Sequence, residues 1–568
     1  MYAKLDGQIH QMPTRRGNAE LHVHQVGPLP IIRHFLDRMA FFRIVSSCIG
    51  TGRQTTSHAQ TLAVLIQNIL LSPSPLYRIA EWAEPFSASA LGLTPEEKSS
   101  INDDRVARAL DALVSMPARS LFFRLALHVI KQFEIDTARV HHDTTTITFH
   151  GQYAGSFAEP RITQGHNKDH RPDLKQLVFG INVAADGAVP LSHEIYSGNR
   201  TDDTVHCANV DLLRQILGRD DFIYVADSKL ATRKNLKHID SYGGKFVSVL
   251  PRSRAEDQRF RRQLREGLHA RWRRFLVLEN KRRQSDPPDV YATTSVGPGK
   301  TEDGFRLVWC RSSQKTIYDA QEREISLRRA EAELFDLTSR INTGKLKSRA
   351  SVLNKAHAIV RDRQCQSLIA LKVRIETKVE TRHLRRGRPG KKDPVRYIRS
   401  RILRLEYSRI KEALKAEART DGVFPLVTNL ATGRVAKKEL LLIYKYQPYV
   451  EKRHSLLKSE LAVAPVYLKK PRRAAALVHA AFLAIMVDAL IERELRKSMA
   501  AAGMDSLSIL PEARPSRTPT TARLLEMFSG VAWYEFERNE EIVTFPVKLT
   551  PLQVKLLKLL EIDPTVYA

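Results

Sequence analysis

Cysteine is scarce in this chain. Only Cys48, Cys207, Cys310 and Cys365 occur, none of them in a CxxC pair. That excludes a zinc ribbon and a disulfide framework and fits a reducing compartment. A clean run of bilayer length is also missing. The longest apolar stretch, residues 474–490, contains His479 and Asp488 and reads as a buried amphipathic helix. Residues 1–16 have no apolar core of the signal-peptide kind. Acidic residues are the other shortage: 62 Asp and Glu face 91 Lys and Arg, a net charge of +29. So much positive charge repels itself in a folded chain and points to a polyanionic partner, nucleic acid ahead of an anionic membrane.

Apolar residues make up 43% of the 568 positions, enough for real cores in two to four domains. Residues 1–135 read as mostly helical, with apolar residues at helical spacing in 29–47, 60–72 and 104–131. A change follows. Segments 138–149, 177–184, 188–196, 222–226 and 245–250 are rich in β-branched residues and read as strands, with a helix near 203–217. Together, 136–250 form the first part of an α/β core. Residues 251–415 break that order and read as a basic insertion. It holds a basic helical run at 252–274, a Pro/Gly-rich patch at 287–304, a long charged helix at 317–341, an alternating strand at 371–379 and a basic loop. Regular order returns in 416–503, with a strand at 423–430 and helices at 436–446, 449–461 and 471–499. Residues 504–568 read as a linker plus one small element.

Three carboxylates stand out. Asp143 interrupts a β-branched strand in HHDTTTI, where Asp is disfavoured. It is either an edge residue facing water or a ligand at the centre of a sheet. Asp227 follows the strand FIYVA directly, at the strand end where sites gather in α/β sheets, although a turn or helix-cap Asp would look the same. Glu451 opens a helical run, with Lys458 seven residues on along the same face. Two strand aspartates and a helical glutamate suit two-metal phosphoryl transfer, in which hard carboxylates hold two Mg²⁺ ions. A zinc site built on His141 and His142 is disfavoured, because adjacent strand residues point to opposite faces.

In sequence order, these residues and their neighbours resemble insertion-sequence transposases of the DDE type, and among them the sixteen-thirty-four branch of the insertion-sequence-four superfamily. The shared features are Asp143-Thr144-Thr145, the stretch GHNKDHRPDLKQ from Gly165 to Gln176, Gly198-Asn199 with Asp202, and Asp227 after its strand. Residues Asp421 to Asn429 match a further segment. The last is a signature of tyrosine, arginine, glutamate and lysine, read here as Tyr444, Gln447, Glu451 and Lys458. Gln447 stands where the family has arginine; it can hydrogen-bond a phosphate but brings no charge. The resemblance spans roughly residues 20–500. It implies a ribonuclease-H-like catalytic domain, a mixed sheet flanked by helices, with 251–415 inserted before the glutamate. It implies metal-dependent cleavage and joining of double-stranded DNA at terminal inverted repeats and at a target, by Asp143, Asp227 and Glu451 holding two Mg²⁺ ions, with Mn²⁺ as a substitute. It also implies phosphate contacts from Tyr444 and Lys458, a homodimer on DNA, and a prokaryotic cytoplasmic setting.

Basic residues would supply the DNA grip, and the helical N-terminal region is the candidate for end recognition. Residues 258–275 interleave arginine with aromatics, which suits either phosphate tracking or a solvated helix face. Arg386-Gly387-Arg388-Pro389 resembles the core of a minor-groove AT-hook, and reads equally as an exposed basic linker. Two other functions share these features: a catalytically inactive or repurposed DNA-binding protein, and a ribonuclease-H-like nuclease that does not join strands.

Overall fold

The computed structural model describes residues 19–567 except 51–54, 116–117, 152, 154–159, 169–170, 280–286, 385–394, 461–467, 469 and 539–540. The fold is mixed α/β and divides into two compact units. One comprises the residues up to 248 and from 442 onward; the other comprises 249–441. The expected core segments fall in the first unit over 136–248 and 442–503; the expected insertion, 251–415, falls wholly in the second, which also takes 416–441, expected as core.

In the first unit, β1 (Ala19–Gln25) is a strand within a region read from sequence as helical. The helical segments after it are shorter than expected. Leu29–Arg38 and Phe41–Ile49 are separated at Ala40, which adopts a left-handed φ of 50°. Asp103–Ser115 and Ala118–Gln132 replace one long helix. The sheet follows: β2 (Arg139–Phe149), β3 (Lys175–Ala184), β4 (Pro190–Ser197), β5 (Ile223–Val225) and β6 (Lys245–Val249). Their order is β4-β3-β2-β5-β6. The first three are antiparallel neighbours, while β5 runs parallel to both β2 and β6. Parallel neighbours need crossovers, and the helices His206–Leu217 and Arg233–Ser241 lie on the two connections that lead to β5 and β6.

Helix Pro471–Ala501 has the length and hydropathy of a membrane span, but 94% of its most apolar window is buried inside the fold. It is buried nearly all round rather than along one stripe. Its polar residues are matched within the unit: His479 Nδ1 lies 2.6 Å from His193 Nε2, and Asp488 meets Arg453.

The second unit holds β7 (Arg273–Leu278), β8 (Asp289–Thr294) and β9 (Arg306–Ser312), then a long ribbon of β10 (Ile369–His383) and β11 (Val395–Arg409), then β12 (Val423–Thr428). Within this unit the strands run β12-β9-β8-β7, with the ribbon as a separate two-stranded sheet. The basic run at 252–274 is helical only over Ala255–Arg265, and β7 begins inside its far end. β8 occupies part of the Pro/Gly-rich patch. The alternating strand at 371–379 is the inner part of β10, and much of the basic loop beyond it is β11. Helices Ser313–Arg340 and Arg349–Asp362 bury the base of the ribbon, through Leu327, Leu334, Val352 and Val360 against Val373, Leu403 and Leu405. The matched segment from Asp421 to Asn429 is structural here. Asp421 takes both Arg323 guanidinium nitrogens, at 2.6 and 2.7 Å, and Gly422 leads into β12. The first unit closes with β13 (Ala532–Arg538) between β1 and β14 (Glu541–Phe545).

Candidate active site

β2 lies at the middle of the first unit's sheet, and Asp143 lies at the middle of β2. Val225 of β5 pairs with His141. Asp143 lies two residues further along β2, and Asp227 lies two residues past Val225, just beyond the end of β5, where the Asp143 charge acts on it. Both carboxyl groups are pushed up to about 6. Burial is the main cause for each, and Asp143 adds repulsion on Asp227. Asp227 also caps the short 3-10 turn Ser228–Leu230, its Oδ1 accepting the Lys229 N–H at 2.9 Å. The turn-cap alternative weighed for Asp227 is therefore real, but it uses only one of the two carboxylate oxygens.

The adjacent histidines are core residues. Burial pushes His141 down to about 4 and His142 to about 3, which keeps both neutral at physiological pH. His142 Nδ1 lies 3.0 Å from Asn182 Oδ1, and His141 Nδ1 lies 3.2 Å from Gln447 Oε1.

Glu451 rides on helix Gln447–Ser455, which packs on β2. Two internal clamps fix this helix. Gln447, only 6% exposed, spends its amide inside the protein: Oε1 faces His141, and Nε2 donates to the His142 carbonyl at 2.8 Å. Arg453 is buried between Asp488 and Glu492 of Pro471–Ala501 and also donates to the Ala188 and Gly187 carbonyls. Glu451 itself is exposed. Lys458 lies beyond the α-helical part, in a π-helical turn, Leu456–Glu460. Such turns widen the helix and re-aim its side chains. The Lys458 charge lowers the Asp143 carboxyl. Tyr444 completes the group. Its hydroxyl is held above the ordinary tyrosine range, by burial first and then by the charges of Asp227, Glu451 and Asp143.

Three neighbours had no role assigned from sequence. Lys168 Nζ donates to the Thr144 carbonyl at 2.6 Å and to Thr144 Oγ1 at 3.0 Å, and lies 3.1 Å from Asp202 Oδ2. Burial works to raise the Asp202 carboxyl, but Lys168 and the Thr144 hydroxyl outweigh it and hold Asp202 below its ordinary range. The two family segments that supply this pair touch through glycines. A Cβ on Gly165 would come within 2.0 Å of the Gly198 carbonyl oxygen, so any other residue at 165 would force the segments apart. His454 is the third. It sits one helical turn beyond Glu451, with Nε2 3.6 Å from Asp143 Oδ2. Burial drives its pKa down to about 3. The matched segments contained Lys168 and Asp202, and the three-residue spacing from Glu451 was the available signal for His454.

The structure thus brings Tyr444 within electrostatic reach of Asp227, Glu451 and Asp143, Asp143 within reach of Asp227, and Lys458 within reach of Asp143. It does not close them into a cage: among the described residues, no group of three His, Cys, Asp or Glu side chains is placed to hold one metal ion. Asp143 and Asp227 are the carboxylates that could face a shared cation. Arg386 and Arg388, expected to contact DNA, lie outside the described residues.

Residues 21–127 match the model of a domain of unknown function, DUF4277. No curated protein matches the chain. A solved piggyBac transposase synaptic complex with hairpin DNA aligns over 79% of this chain and 80% of its own, at 11% identity and a TM-score of 0.29, too low to assign a shared fold.

Proposed function

We propose that this chain is a DNA transposase of the DDE type, which cleaves double-stranded DNA at terminal inverted repeats and joins the ends to a target. The observation that supports this reading is the nearness of Asp143 and Asp227, whose charges repel, and of Tyr444, more than two hundred positions later, which senses both of them and Glu451. The sheet order, three antiparallel strands followed by two parallel ones, supports a ribonuclease-H-like catalytic domain. The excess of positive charge supports a nucleic-acid partner.

Asp143, Asp227 and Glu451 would hold two Mg²⁺ ions, with Mn²⁺ as a substitute. The donor set fits in kind: all three are hard oxygen ligands, and burial disfavours the charge of both aspartates, a cost that a bound cation would offset. An open arrangement suits Mg²⁺, which keeps several waters. When bound, the ions would supply activation of the attacking oxygen and stabilisation of the leaving one. The chain's own groups do the rest. Lys458 and Tyr444 hold backbone phosphate beside the carboxylates. Lys168 is a second fixed ammonium beside Asp143, tethered to Thr144 and Asp202. Gln447 anchors the glutamate helix instead of reaching DNA, so the arginine of the family signature has no counterpart in phosphate binding here. Action on two DNA ends calls for a homodimer on DNA.

The test is Mg²⁺-dependent cleavage of a linear DNA carrying both flanks of the gene. Cleavage by the wild type, its loss in Asp143→Asn and Asp227→Asn, and retained DNA binding by both variants are expected. Equal cleavage by Asp143→Asn overturns the assignment. Cleavage without joining of pre-cut ends leaves a nuclease.

A further inference from the structure

The β10–β11 ribbon changes character along its length. At its base, Val373, Leu403 and Leu405 are each at most 9% exposed and pack on the two helices beneath. Asn342 clamps the same place, donating to the Leu403 carbonyl at 3.1 Å and accepting its N–H at 2.8 Å. From Ile375 outward the support ends. Ile375 is 56% exposed, Val379 52% and Tyr397 65%. From 375 to 383 β10 continues as a two-stranded arm, about 30 Å long at roughly 3.3 Å per residue, and beyond the Ile375–Leu403 pair its described side chains are mostly exposed.

Isolated two-stranded ribbons are marginal in water, and an exposed one needs a reason. Its charges supply one. The register places Arg401 opposite Thr377, Arg399 opposite Val379 and Tyr397 opposite Thr381, all on one face. That face carries two arginines and no acid, and neither arginine forms an ion pair among the described residues. The other face is partly neutralised: Arg374 pairs with Glu406 at 2.9 Å, Arg404 with Glu376 at 3.0 Å and Lys378 with Glu380 at 2.6 Å. At the outer end Arg382 and Arg396 lie directly opposite each other, a like-charge pair that costs stability unless an anion joins it.

We propose that this arm docks in the major groove of duplex DNA, with the Arg399–Arg401 face toward the bases. A two-stranded ribbon fits that groove, which is about 12 Å wide, and the arm covers most of one helical turn of about 34 Å. Arginine is the side chain best suited to guanine O6 and N7, and Thr377, Thr381 and Tyr397 offer hydroxyls to neighbouring phosphates or bases. Arg382 and Arg396 meet the backbone where the groove closes around the ribbon. The inference takes its partner, DNA, from the proposed function, but it requires nothing of the carboxylate site.

The test uses full-length protein and two double variants of equal charge change. Arg399→Ala with Arg401→Ala removes the unpaired face; Arg374→Ala with Arg404→Ala removes arginines already paired. Binding to a short mixed-sequence duplex is followed by fluorescence anisotropy across a salt series. The first variant is expected to lose at least about tenfold in affinity and to flatten the salt dependence by about 1.8 in log–log slope. The second should lose clearly less. Dimethyl sulfate footprinting reports the groove: guanine N7 protection by the wild type, lost in the first variant, supports the arm. Equal losses from both variants, or protection confined to adenine N3 in the minor groove, overturn it, as does a loss of self-association with DNA binding intact. If the wild type binds duplex but does not cleave with Mg²⁺, the catalytic reading fails and the arm stands. If the two variants bind alike while cleavage persists, the arm fails and the catalytic reading stands.

Discussion

Replacing Asp143 with Asn should stabilise the metal-free protein and abolish its response to Mg²⁺. The Asp143 carboxyl rises from 3.8 to about 6 on folding, because burial penalises its charge more than Lys168 and Lys458 favour it. A carboxyl raised in this way costs nothing well below pH 3.8, where it is protonated in both states. The cost grows as pH rises from about 4 to about 6 and is complete above that. A shift of roughly two units corresponds to about 3 kcal/mol at pH 8. Asn removes that charge with little change of shape, so the melting temperature in EDTA at pH 8 should rise by several degrees, at about 2–4 °C per kcal/mol for a mid-sized domain. Well below pH 3.8 the two proteins should melt together. Mg²⁺ should raise the wild-type melting temperature at pH 8, far less at pH 5, and not at all in the variant. Differential scanning calorimetry over this pH range, with and without Mg²⁺, checks each statement. A variant less stable than wild type at pH 8 in EDTA, or one that keeps its Mg²⁺ shift, refutes the argument that Asp143 is a buried charge awaiting a cation.

Lys168→Met removes the ammonium that lowers both aspartates. The pH midpoint of the Mg²⁺-induced shift should therefore move upward, which the same calorimetric series measures. Gln447→Ala breaks two buried hydrogen bonds and should cost about 1–3 kcal/mol. Gln447→Arg, the family residue, should also lower the melting temperature, because a charged guanidinium has no room at a position only 6% exposed; a gain in DNA affinity without loss of stability would contradict this. Arg453→Met removes the buried cation that Asp488 and Glu492 share, while Lys452 still pairs with Glu492, and should cost about 3 kcal/mol in urea unfolding, with partial recovery when Asp488→Asn is added.

The residues that carry chemistry were legible because each breaks a local rule. Asp143 is an acid among β-branched neighbours, Asp227 stands where a strand stops, and Tyr444, Glu451 and Lys458 keep a fixed spacing. The central strands were legible for a related reason, since β2, β3 and β6 are largely buried and rich in β-branched or apolar residues. What the sequence concealed depends on partners far along the chain. Nothing near Gln447 shows that its amide will be consumed by His141 and by the His142 carbonyl, so a buried clamp looked like a weakened phosphate contact. Nothing near Arg453 foretells Asp488 and Glu492, because a basic residue on a polar helix is usually solvated. β11 escaped notice because arginine fills so many of its outward positions that the alternation of Ile402, Leu403 and Leu405 is lost in the charge. The same density of arginine makes the strand chemically useful. A ribbon that hides its β pattern under positive charge cannot bury both faces in a core. Its outer part must stay free, and the arginines there remain available for a polyanion.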